Sequence, residues 1–227
     1  MELVVPSGTD TLLRDLVQEH TGMFFDAEKG DLLLDKLSPL VIERGFHSFL
    51  DYYYLLKYDE NSVDEWKNVI DAISVQETFF WREMDQINAL VDCLIPEWAE
   101  RSNGRRLRIW SAACATGEEP LTIAMALAEA GWFDRIQVEI IATDASTAAL
   151  TKAEQGLFRE RAFRNLLGDR KRQLRAMDSL GWGPQGTAAS ARVNRATQAP
   201  GLGQLGCLAR AARSQPRRGA RVPHSTS

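Results

Sequence analysis

Cysteine is scarce and unpatterned in this chain of 227 residues. Cys93, Cys114 and Cys207 show neither metal-ligand spacing nor an even-numbered framework. That excludes a disulfide scaffold and makes a reducing, cytoplasmic setting the expectation. Histidine is equally rare: His20, His47 and His224 form no pair, and no metal site is expected. No apolar run reaches the roughly 18 residues of a membrane span. The N-terminus, Met1-Glu2-Leu3-Val4-Val5-Pro6, lacks the basic region and long apolar core of a secretory signal. Neither export nor membrane insertion is therefore expected. The least even distribution is that of acid. Residues 170–227 hold one Asp or Glu against 11 Lys and Arg, whereas residues 1–169 hold 30 against 16, so a net of +10 follows one of −14 in a chain of net −4. Otherwise the composition, 44% hydrophobic and 26% charged, is that of an ordinary globular protein.

The first hundred residues read as helical. Thr9 or Asp10 can cap a helix running to His20, with Leu12, Leu13, Leu16 and Val17 on one face and Gly22 as a stop. A second helix spans about 27 to 44, where Pro39 would kink or split it. Phe49, Tyr52, Tyr53 and Leu56 fall at i, i+3, i+4 and i+7 of a third, which makes the Tyr52-Tyr53-Tyr54 run a packing feature. Ser62-Val63-Asp64-Glu65 has the form of a capping box ahead of Trp66, Val69, Ile70 and Ile73. A further amphipathic helix covers Glu83 to Trp98. Small pieces of this kind pack as a bundle.

Beyond the Asn103-Gly104 turn the character changes. Leu107 to Ala113 is apolar and bounded like a buried strand, Glu118 to Ala130 is a helix stopped by Gly131, Ile136 to Thr143 is a second strand, and Thr147 to Gln155 is a helix ended by Gly156. Strand–helix–strand–helix with short loops predicts a parallel sheet. After about Leu167 the pattern is lost. The remainder, rich in Arg, Ala, Gly, Gln, Ser and Pro, has too little apolar surface to offset its ordering entropy, so disorder is expected.

Three runs carry the chemistry. Ile109-Trp110-Ser111-Ala112-Ala113-Cys114-Ala115-Thr116-Gly117-Glu118-Glu119-Pro120 delivers a strand into a turn of small residues that opens an acidic helix. Such a turn lets backbone N–H groups and a helix N-terminus approach a ligand. Ile140-Ile141-Ala142-Thr143-Asp144 ends the next strand with a carboxylate on the same rim, where an acid suits ribose hydroxyls. Ser74-Val75-Gln76-Glu77-Thr78-Phe79-Phe80-Trp81-Arg82-Glu83 sets an arginine behind a block of aromatics. Together they describe a pocket for a nucleoside bearing a charged amino-acid tail. Each residue also has a plainer role open to it. Glu119 closes a capping box begun by Thr116, Asp144 is a solvated loop acid, Arg82 forms an interdomain salt bridge, and Gln76 and Thr78 are cap or loop residues. Cys114, with no histidine near it in sequence, is a small filler in a tight turn rather than a nucleophile.

These runs, with Gly45-Phe46-His47-Ser48-Phe49 and the Leu150, Ala153, Gly156 pattern, resemble the chemotaxis-receptor glutamate methyltransferases, the CheR-type family, from about residue 10 to 166. The Trp-Ser-Ala…Thr-Gly-Glu-Glu-Pro run is the most specific part. The resemblance implies an α/β architecture in three parts. An N-terminal all-α helical domain with the aromatic–arginine linker fills residues 1–98. An incomplete Rossmann-like class I methyltransferase domain fills 99–168, and the remainder, 169–227, is by its composition a disordered basic tail. It implies S-adenosylmethionine as cofactor, contacted from the positions matching Gln76, Thr78, Arg82, Glu119 and Asp144. Gln76 stands where the family usually has asparagine. It implies methyl transfer to glutamates on the cytoplasmic helices of a chemoreceptor, with no nucleic-acid partner and no catalytic residue beyond those that position the reactants. A chain reduced to its helical domain's role would bind a receptor or signalling partner without catalysis.

The family pattern stops near Leu166, with two strands readable out of about seven. The first strand is central in the family's sheet, so losing its neighbours on one side leaves an exposed apolar edge. The tail has ten arginines to one lysine, which points to an out-of-frame reading of GC-rich coding DNA. A genuine basic tail that contacts nucleic acid or an acidic partner is the alternative, and the gene's other two frames past codon 168 discriminate the two.

Overall fold

The computed structural model describes residues 3–60, 62–165, 195–196 and 206–209. Four helices build the first layer: α1 (Thr9–Thr21), α2 (Gly30–Glu43), α3 (Phe49–Tyr58) and α4 (Ser62–Ile73). Their apolar stripes converge on one core containing Leu13, Val17, Leu37, Val41, Tyr52 and Val69. Tyr52 and Tyr53 are buried there and Tyr54 is exposed, as their spacing predicts. Pro39 lies inside α2 without splitting it. The start of α1 differs from expectation, because Gly8 in the left-handed region precedes it and no side chain caps it.

The capping box at α4 is also corrected. Glu65 does not reach back along its helix but turns into the bundle, where it is buried. Arg44 donates to its Oε2 from Nε at 2.7 Å and also from Nη2, the Tyr52 hydroxyl donates to Oε1 at 2.7 Å, and Asn68 donates at 3.1 Å. Burial alone would raise the carboxyl's pKa, but these donors outweigh it and hold the group below its ordinary value. The same burial, with the Glu65 carboxylate as acceptor, pushes the Tyr52 hydroxyl far up.

The segment Phe80 to Ile95 buries its apolar side chains with the second layer rather than the bundle. The single helix expected over Glu83 to Trp98 is three consecutive pieces: α5 (Met84–Ala89), a π-turn over Leu90–Leu94, and α6 (Ile95–Arg101). Pro96 has no N–H for the carbonyl four residues back, and the backbone widens by one residue just ahead of it.

In the second layer β1 (Leu107–Ala112) pairs in parallel with β2 (Val138–Thr143), from Leu107 opposite Val138 to Ala112 opposite Thr143. The crossover is α7 (Glu118–Glu129) followed by α8 (Trp132–Arg135), and α9 (Thr147–Gln155) follows β2. Two stretches of the tail, β3 (Arg195–Ala196) and β4 (Gly206–Ala209), are strands that its composition did not announce. Both pair antiparallel, giving the order β1-β2-β4-β3. The rest of the tail, and with it the expectation of disorder, lies outside the described residues. Among the described residues β1 is one edge of the sheet, as expected, and Trp110 on it is 67% exposed. Among the described residues no helix is long and apolar enough to cross a membrane.

Candidate functional site

A cavity of about 520 Å³ opens where the 73–83 segment faces the loop after β1 and the end of β2, and Gln76, Thr78, Arg82, Glu119 and Asp144 all line it. Thus the five residues singled out in the sequence come together, from three separate segments of the chain. Among the described residues the wall carries four carboxylates, Glu77, Glu83, Glu119 and Asp144, against one guanidinium, Arg82, and its apolar surface comes from Met23, Ile73, Phe79 and Ile87.

The aromatic block explains how Arg82 is held. Phe80 is fully buried, packed edge-on against Phe158 at 4.8 Å and stacked on Phe163 at 4.9 Å, and its N–H donates to the Ala162 carbonyl at 2.8 Å. Trp81 is buried too, and its N–H donates to the Thr122 hydroxyl at 3.1 Å. Trp81 (φ 61°) and Glu83 (φ 52°) both occupy the left-handed region, an uncommon and strained choice for such residues. This double turn leaves Arg82 half exposed on the cavity wall. Its Nη1 donates to the Glu77 carbonyl at 2.8 Å, its Nε lies 3.7 Å from Glu83, and its guanidinium lies 5.6 Å from the Phe79 ring centroid. An interdomain salt bridge is not its role, because both polar partners belong to its own segment.

Glu119 is not part of a capping box. Gly117 (φ 95°) is the residue before α7, and Thr116 donates to Glu118 at 2.6 Å instead. Glu119 Oε1 accepts from Ser111, near the end of β1, at 2.6 Å, which fixes the carboxylate at the cavity. Asp144 is likewise no solvated loop acid. Its Oδ2 accepts from the Ala115 N–H and its Oδ1 from the Ser146 N–H, both at 2.8 Å, so it ties the two loops together. Each oxygen retains capacity for a further donor.

The expectation that the turn's amides are offered to a ligand is corrected for three of them. The N–H of Cys114 donates to the Thr143 carbonyl at 2.9 Å, that of Ala115 to Asp144, and that of Gly117 to the Cys114 carbonyl at 2.9 Å. Small residues are required there for packing and backbone shape. Cys114 is buried, and Ala113 (φ 58°) and Ala115 (φ 46°) are left-handed. A Cβ added at Gly117 would sit 3.0 Å from the Ala153 Cβ on α9. The Gly117→Ala variant is expected to lose about 1–3 kcal/mol through left-handed strain and crowding, read as a lower urea midpoint.

The sequence did not reveal Ser146, Asp71 or Arg164. Ser146 Oγ accepts from Gln76 Nε2 at 2.5 Å and donates to Asp71 Oδ1 at 2.6 Å. Arg164 donates to Glu77 Oε1 at 2.9 Å and lies 3.8 Å from the Phe79 centroid. Ser146 had a readable signal, as an N-cap ahead of an alanine-rich helix. Asp71 and Arg164 act across 75 and 87 residues of sequence and had none.

Two family models match the chain in tandem: the all-alpha domain of CheR methyltransferase over residues 11–74, and the SAM binding domain of CheR methyltransferase over residues 76–178. The chain belongs to the CheR methyltransferase family. It is 34% identical over 167 residues to Chemotaxis protein methyltransferase 2 of Vibrio cholerae, covering 73% of this chain and 57% of that protein. It is 34% identical over 156 residues to the Chemotaxis protein methyltransferase of Borreliella burgdorferi, covering 66% and 55%. To the Escherichia coli protein of the same name it is 31% identical over 172 residues, covering 76% and 57%. The chain thus spans little more than half the length of these relatives. The boundary between the CheR models falls at residue 75, ahead of the aromatic–arginine run.

The cofactor of this CheR domain is S-adenosylmethionine, and the residues present fit it. The cavity lies within the range of small-molecule pockets. Its excess of carboxylates suits a ligand with cationic sulfonium and ammonium groups, and its single guanidinium suits that ligand's carboxylate.

Proposed function

We propose that this chain carries the cofactor-binding half of a protein-glutamate O-methyltransferase that methylates glutamate side chains on the cytoplasmic helices of chemoreceptors. One observation carries the proposal: Gln76, Thr78, Arg82, Glu119 and Asp144, chosen from sequence, line one cavity. The names of the relatives support the chemotactic role.

S-adenosylmethionine supplies an electrophilic methyl on a cationic sulfur. The protein's task is placement. Arg82 would hold the cofactor's carboxylate, a partner that guanidinium groups bind strongly. Asp144 and Glu119, each already fixed by a protein donor, would accept from hydroxyl or ammonium groups of the ligand. The receptor glutamate, with an ordinary pKa of about 4.3, is ionised at neutral pH and needs no general base. Positioning and partial exclusion of water account for the chemistry assigned to this half.

A second reading is that the chain binds a receptor or signalling partner without catalysis. It draws on the separate hydrophobic core of the α1–α4 bundle. Calorimetry of the full chain with S-adenosylhomocysteine, paired with methyl transfer from labelled S-adenosylmethionine to receptor cytoplasmic fragments, tests both. Micromolar binding with transfer is the expected result. Receptor binding without nucleoside binding would replace the enzymatic reading with the second.

A further inference from the structure

The hydroxyl of Ser146 is fully buried and has its whole hydrogen-bonding capacity engaged. It accepts from the Ala149 N–H at 3.0 Å, capping α9, accepts from Gln76 Nε2 at 2.5 Å, and donates to Asp71 Oδ1 at 2.6 Å. Asp71 also accepts from the Ala148 N–H, at 3.2 Å on Oδ1 and 3.3 Å on Oδ2, so a carboxylate on the last turn of α4 supports the N-terminus of α9. The direction of this chain is not free. An ionised carboxylate only accepts, so the Ser146 proton points at Asp71. The oxygen of Ser146 is then left with acceptor capacity alone, and Gln76 must present its NH2 end to it. That leaves Oε1 as the acceptor of an amide on the cavity wall. The backbone of Ser146 simultaneously donates to Asp144.

We propose that Asp71, acting through Ser146, fixes which end of the Gln76 amide meets the ligand, so that Asp71 and Ser146 are positioning residues of the cofactor site. The helical bundle thereby sets the polarity of one wall of a pocket otherwise built by the sheet layer, and the ligand group met by Gln76 Oε1 is a hydrogen-bond donor. Without the carboxylate, the Ser146 proton is free to turn toward Gln76, and the amide then flips to show the ligand its NH2.

This inference rests on the cofactor reading above, and a double-mutant cycle separates the two. Affinity for S-adenosylhomocysteine and melting temperature are measured for the full chain, for Asp71→Ala, for Gln76→Ala and for the double variant. Asp71→Ala is expected to weaken binding roughly ten-fold when Gln76 is present and less than about two-fold when it is absent, while lowering the melting temperature equally in both backgrounds. An equal loss of affinity in both backgrounds, or none in either, overturns the positioning role and leaves the cofactor reading standing. Absence of binding by the wild-type chain overturns both. If Asp71→Ala does not fold, the same cycle is run with Asp71→Leu, which likewise offers no acceptor to Ser146. Ser146→Thr, which keeps the hydroxyl, is expected to restore the affinity that Ser146→Ala loses, and failure of that rescue also overturns the proposal.

Discussion

Replacing Glu65 with alanine is expected to remove about 1–3 kcal/mol of stability, the cost of stranding a buried hydrogen-bonding group. The carboxylate is buried and receives donors from α3, from Asn68 on its own helix and from Arg44 just past α2. Deleting it strands the Tyr52 hydroxyl in the core without an acceptor and leaves a cavity. The loss is read as a lower urea midpoint by far-ultraviolet circular dichroism. A variant as stable as the wild type would mean that the network contributes nothing net. The pH dependence has a fixed sign. The folded-state pKa of Glu65 lies below its unfolded value, so its contribution is present above about pH 4.3 and fades as the pH falls through the folded value. Glu65→Leu is expected to flatten the acid limb of the stability profile in that window, whatever it does at pH 7.

Arg82→Ala is expected to weaken S-adenosylhomocysteine binding by roughly 10- to 100-fold, the worth of charge-assisted hydrogen bonds to a carboxylate. Its melting temperature should barely move. The side chain is half exposed and its ion pair with Glu83 is a long surface contact at 3.7 Å, a class that contributes little. Arg82→Lys should fall between the two, because it keeps the charge and loses the fork. Isothermal titration and a thermal scan on the same samples check the pair of outcomes. A large fall in stability with unchanged affinity would move Arg82 from the site to the scaffold.

The two expectations show what a sequence can convey. Arg82 was legible because it follows a run of aromatics, of which Phe80 and Trp81 are buried while the arginine stays at the cavity wall. Asp144 was legible because a β-branched run fixes where β2 ends, and strand ends define the rim of a parallel sheet. Glu65 was misread for a physical reason. Ser-x-x-Glu satisfies a local rule, and the competing partners, Tyr52 and Arg44, lie 13 and 21 residues away. Gly117 was read as making room for a ligand, whereas its neighbour is Ala153 on the next helix. The common cause is that spacing along a chain reports the face a residue occupies, and not which distant element will meet that face. The boundary of the bundle shows the same limit. Residues 80–95 have helical periodicity like everything before them, yet their apolar side chains belong to the other core.

Among the described residues the sheet has β1 at one edge and the two-residue β3 at the other. The ladder between β1 and β2 begins with the Leu107 N–H on the Gln137 carbonyl, and in a parallel pair the residues that face a given neighbour alternate. Arg108, Trp110 and Ala112 therefore turn their peptide groups away from β2, while the far side of β2 is already taken by β4. A strand added beside β1 would pair with those peptide groups, whereas the Trp110 indole, whose Nε1 donates to the Thr143 hydroxyl on β2 at 3.0 Å, stands on a face of the sheet and would be buried only by a layer laid over that face.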